Sequence, residues 1–131
     1  MRPLSLAAAQ GNLPIFSSIL ESGGDLRYID AQGRNLYHAA AIGDNPDLIQ
    51  VISSHKKSPE INSPDKEGMT PLMLAVKALK FKAVEALIKN EASVKTMNTK
   101  NFKSALDYAL ASKNKQMAEL IEKAWEDTQS K

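Results

Sequence analysis

The chain has 131 residues, 43% of them hydrophobic and 5% aromatic, enough apolar material for one packed domain and too much for a disordered chain. It holds no cysteine, which excludes disulfide frameworks and thiolate zinc sites and suits a reducing compartment. The net charge of +2 identifies no partner by itself, but it is unevenly spread: residues 1–65 carry five basic and seven acidic side chains, net −2, and residues 66–131 carry twelve lysines and eight acids, net +4.

The first segment, from Pro3, is an apolar run broken at Gln10 and Gly11, which reads as a short helix rather than a signal peptide. A second helix follows and ends at Gly23-Gly24, where a left-handed cap suits glycine. Asp30-x-x-Gly33 is a turn, since Asp favours turn entry and Gly tolerates positive φ. Asn35 then starts a helix carrying Tyr37, His38, Ala40 and Ala41, and a further helix runs to the loop Ser53–Ser58. Ser58-Pro59 and Ser63-Pro64 read as turn chemistry before they read as phosphorylation sites. Asp65-x-x-Gly68 repeats the turn. Thr70 is placed to cap the next helix, with Pro71 at its first position. Ala83, Val84, Leu87 and Ile88 form an apolar helical stripe. Asn98-x-x-Asn101 stands in the third place of the turn, with one extra residue before Ser104, and Ser104-Ala-Leu-Asp107 is a helix start. The longest central apolar stretch, Leu72 to Val76, is too short to span a bilayer.

These segments repeat. The alanine of each first helix falls at Ala7, Ala40, Ala75 and Ala109, in steps of 33, 35 and 34. The aliphatic residue of each second helix falls at Ile19, Ile52, Leu87 and Ile121, in the same steps. The lengthening of the second unit therefore lies after Ile52.

The pattern resembles the ankyrin repeat, a unit of about 33 residues built from a turn and two antiparallel helices. The likeness is closest at Asp65, Gly68, Thr70, Pro71, Leu72, Met73, Ala75 and Val76, and recurs at Asp30, Gly33, Tyr37, His38, Ala40 and Ala41. It implies an all-α fold, an ankyrin-repeat solenoid of stacked helix-turn-helix units with β-turn, hairpin-like fingers. The expected domain is 1–126, with units near 1–29, 30–64, 65–97 and 98–126, and a polar tail at 127–131 that frays after Trp125. Trp125 and Phe81 are expected to pack, Trp125 over the end of the last unit.

The residues offer little chemistry. His38 sits where the family places a structural histidine bonded to the neighbouring turn, and no carboxylate is evident to orient it as a base. His55 lies in a loop beside two lysines. No H-E-x-x-H, G-x-S-x-G or phosphate-loop motif is present. The reading is no enzyme, no cofactor and no metal.

The resemblance instead implies a protein-protein interaction module, acting as adaptor, scaffold or inhibitor through a concave surface of turn tips and first helices. Its positions are Gln32, Arg34 and Ile42 in the second unit, Lys66, Glu67, Met69 and Lys77 in the third, and Lys100, Phe102 and Lys103 in the fourth. Met69 and Phe102 stand out as apolar residues at turn tips, where they either mark an interface or fold against their own turns. The partner expected is a protein, with the chain a monomer when unbound. The alternative is nucleic acid or an anionic surface held by the Lys-rich half, disfavoured because lysine lacks the planar fork of arginine. The location expected is cytoplasmic or nuclear. An effector secreted into a host cytosol would have the same composition.

Overall fold

The computed structural model describes residues 3–129. They form eight helices and no strand: α1 Pro3–Ala9, α2 Leu13–Glu21, α3 Leu36–Gly43, α4 Pro46–Ser54, α5 Pro71–Lys77, α6 Phe81–Lys89, α7 Ala105–Ala111 and α8 Lys115–Gln129. They pair as α1/α2, α3/α4, α5/α6 and α7/α8. The first helices make one row, α1 on α3, α3 on α5 and α5 on α7, while α2, α4 and α6 pack in a second row.

Small residues make this stacking possible. Ala7, Ala40, Ala75 and Ala109 are all buried, as are Ile52, Leu87 and Ile121 of the second helices. Leu13, Phe81 and Trp125 pack against the core while partly exposed. A Cβ on Gly43 would strike the carbonyl oxygen of Ala8, so α3 lies on α1 as closely as backbones allow. Positions covered by a neighbouring unit open at the ends of the stack. Leu48, Ala83 and Met117 are buried, whereas Ile15, their counterpart in the first unit, is exposed. Ala8, Ala41 and Val76 are buried, whereas Leu110, their counterpart in the last, is exposed.

The helix starts follow the local sequence. Asn35, Thr70 and Ser104 accept hydrogen bonds from the first-turn amides of α3, α5 and α7. Gly23, at φ +99°, closes α2: its N–H donates to Leu20 O and that of Gly24 to Ile19 O. Helix α4 ends in register with α2 and α6, so the two extra residues of the second unit lie between α4 and the next turn. Helix α8 is continuous past Trp125 to Gln129, through the stretch whose polar sequence suggests fraying. The Thr128 hydroxyl donates to Trp125 O at 2.6 Å, and the Lys95 ammonium stands 5.4 Å from the Trp125 ring centre. Residues 130 and 131 lie outside the described residues.

One cap is supplied across a unit boundary. Asn12, Asn45 and Asn114 occupy one register position, and each accepts from the start of its own second helix. The equivalent residue of α6 is Lys80, which makes no such bond. Asp44, from the preceding unit, accepts from Ala83 N at 2.9 Å instead. An N-cap is worth about 1 kcal/mol. Asp44→Ala should therefore lower stability by about 1–2 kcal/mol in urea unfolding, the upper figure including the left-handed backbone that Asp44 holds at φ 54°. Adding Lys80→Asn, which restores a local cap, should recover about 1 kcal/mol; no recovery would show that the missing amide partner is not the cause.

Candidate functional site: the finger row

Between units the chain makes three fingers. In the first two, an aspartate turns the chain back on itself. Asp30 Oδ1 accepts from the N–H groups of Gln32 and Arg34, and Asp65 Oδ1 from those of Glu67 and Met69. Asp30 N–H donates to Arg34 O and Asp65 N–H to Met69 O. Gly33 and Gly68 sit at φ +77° and +80°, the left-handed region that glycine enters without strain.

The third finger is one residue longer. Asn98 N–H donates to Lys103 O, and Phe102 N–H to Asn98 O. The residue in the glycine position is Phe102, at φ +60°, not Asn101 as the spacing suggests. Asn101 lies within the enlarged turn and donates through its side chain to Tyr108 Oη at 3.1 Å.

The fingers touch in sequence. Lys66 N–H donates to Gln32 O at 2.8 Å. Arg34 Nε lies 3.2 Å from Asp65 Oδ2, whose side chain is fully buried. Asn98 Nδ2 reaches the Met69 sulfur at 3.3 Å. His38 locks the second unit to the second finger, which belongs to the third unit: its Nε2 donates to Met69 O at 2.8 Å while Nδ1 accepts from Asn35 N–H at 3.0 Å. A carbonyl can only accept, so the proton is on Nε2. Both nitrogens are committed and the ring is buried, which leaves no free lone pair for base catalysis.

Of the ten positions anticipated for a partner, Gln32, Ile42, Lys66, Glu67, Lys77, Lys100, Phe102 and Lys103 are exposed. Arg34 is half-buried and tied to Asp65. Met69 is a correction: it is 5% exposed, because its sulfur and carbonyl are the groups that Asn98 and His38 hold. A charge placed at Met69 would disrupt the stack rather than probe a surface. Two apolar residues escape sequence reading. Ile29 and Met97, each immediately before a finger, are 60% and 56% exposed. Pro64 has the same place in the remaining finger and is also exposed. The available signal was apolar character directly before each Asp or Asn. Among the described residues no group of His, Asp and Glu side chains is placed to hold a metal, and no helix is long and apolar enough to cross a membrane.

A family model described as ankyrin repeats, in three copies, matches residues 4–98 and again 59–129. The chain belongs to the ankyrin-repeat family. Ankyrin repeats are in general protein-protein interaction modules without catalytic chemistry of their own. Rabankyrin-5 of Mus musculus is 34% identical over 90 residues, 69% of this chain and 8% of that protein. Alpha-latrotoxin-Lg1a of Latrodectus geometricus is 33% identical over 87 residues, 66% of this chain and 6% of the toxin. A putative palmitoyltransferase, ZDHHC13 of Danio rerio, is 32% identical over 113 residues, 86% of this chain and 17% of that protein. The ankyrin-repeat chain thus spans less than a fifth of each of these relatives.

The His38 link makes stability pH-dependent. Burial, the largest effect, lowers the His38 pKa below its ordinary value, and the Met69 carbonyl opposes it only in part. The neutral ring is the stabilising form. Its contribution is complete above about pH 6.5 and is lost as pH falls through the depressed folded-state value. Urea unfolding should show the native protein weakening from pH 7 towards pH 5. His38→Gln should be less stable at pH 7 by about 1–3 kcal/mol and should lose most of that pH dependence. An unchanged pH slope in the variant would assign the effect to other groups.

Proposed function

We propose that this ankyrin domain binds a partner protein through the finger tips and the row of first helices, serving as an adaptor, scaffold or inhibitor rather than as an enzyme. The observation that carries the reading is a division between equivalent positions. At structural places the residues are buried and alike from unit to unit: Ala7, Ala40, Ala75 and Ala109 on the first helices, and the polar caps Asn35, Thr70 and Ser104. Residues beside them on the tips are exposed and unlike: Gln32 and Glu67 hold one place, and Ile42 and Lys77 another. Folding explains the first set. The variety of the second supports a surface fitted to something outside the chain. Several units in a row give such a surface length, as stacked repeats do. We take the domain to be residues 1–126 and a monomer when unbound.

The test is photo-crosslinking in the native cell. A benzophenone amino acid at Ile42, Lys77 or Lys103 should yield a shared crosslinked protein. The same probe at Glu85 or Gln116, exposed on the second helices, should not. Equal crosslinking from both sets would place the binding surface elsewhere.

A further inference from the structure

The third finger does what the other two avoid. Where they hold Gly33 and Gly68 it holds Phe102, left-handed at φ +60° and 73% exposed. That backbone region is unfavourable for a bulky side chain, and a ring so exposed returns almost nothing by burial. A strained, solvated aromatic residue that the core does not use points to a role outside the fold.

Its surroundings say what it would meet. Lys100 and Lys103 are exposed on the same finger, and Lys66 is exposed at the tip of the finger before it. The two fingers adjoin through the Asn98 contact to Met69. Met97 adds a second exposed apolar side chain at the foot of the third finger. Of the carboxylates on these two fingers, Asp65 is buried against Arg34 and Glu67 alone is exposed. The exposed charged groups of the two fingers are thus three ammonium ions and one carboxylate, with Phe102 as the exposed apolar side chain among them in sequence.

We propose, resting on the protein-binding reading above, that these two fingers hold an acidic, extended segment of a partner protein that sets an apolar side chain against Phe102. Positive charge facing carboxylates steers and orients such a segment, and the phenyl ring supplies the contact that charge alone lacks. Carboxylates suit this surface better than a nucleic acid does. Its cations are lysines, not arginine forks, and it has one aromatic ring rather than a series on which bases could stack.

The test uses the full chain and fluorescence anisotropy at low and moderate salt. The probes are a short labelled peptide of alternating Glu and Ser with a central Leu, the same peptide with a central Ser, its Lys-for-Glu counterpart, and a single-stranded DNA of mixed sequence. The acidic peptide with Leu should bind, and loss of Leu should weaken it about tenfold. Phe102→Gly should also weaken it about tenfold, yet raise the thermal midpoint, because glycine takes the turn without strain. Replacing Lys66, Lys100 and Lys103 by Ser should remove the salt dependence. The proposal is overturned if the acidic peptide does not bind, if the DNA or the basic peptide binds as well, or if Phe102→Gly keeps full affinity. A lower midpoint for Phe102→Gly would also sink it, by showing that the ring packs into the fold. A crosslinked partner whose bound segment proves basic would refute this inference and leave the protein-binding reading intact. Equal crosslinking from both helix rows would remove that reading itself.

Discussion

No helix pair in this chain has a closed core of its own; each is completed by the pair beside it. The two ends of the stack make the dependence visible. Ile15 and Leu110 are in solvent although their counterparts in other units are buried. Burial there comes from having a neighbour, at roughly 25 cal/mol for each Å² covered. Apolar contact alone would let units slide, and polar links prevent this. His38 to Met69, Asp44 to Ala83, Asn45 to Gly11 and Asn62 to Ser93 each join one unit to the next. A slip of one residue would leave such groups unpaired, at about 1–3 kcal/mol each.

That constraint explains what was legible in the sequence. Helix starts, alanine contacts and the role of His38 depend on a residue and its register, and register was visible as a step repeated at two landmarks. The misread features depend on relations between units. Met69 looked like a tip residue because nothing local shows that its sulfur and carbonyl are claimed by Asn98 and His38. Asp44 carries no local sign of its capping role, because the helix it caps begins 37 residues later, at Phe81. In the third finger an extra residue could be counted but not placed. Asn101 was the natural candidate for a left-handed backbone, and the hydrogen bonds of the turn put Phe102 there instead.

The same constraint separates surface from scaffold. Once Met69 and Arg34 are seen to be engaged between fingers, the surface loses two members and gains Ile29 and Met97. The lysine excess of the second half then acquires a location. Lys66, Lys100 and Lys103 are on adjoining finger tips, whereas Lys89 and Lys123 are exposed on second helices. Net charge alone could not make that distinction, because it does not record which lysines stand beside an exposed aromatic ring.

Strain divides along the same line. In the first half the left-handed positions are taken by Gly11, Gly23, Gly33 and Asp44, residue types that tolerate them. In the second half Gly68 is joined by Leu79, Glu91, Phe102 and Lys113. Each of those four costs roughly 1 kcal/mol relative to glycine. In a stack where each unit touches only its neighbours, such costs stay local to the unit that bears them. That strain falls more heavily on the third and fourth units than on the first two. They are also the units that carry the lysine tips and Phe102. The third finger thus holds with Phe102 a backbone strain that Gly33 and Gly68 spare the other two.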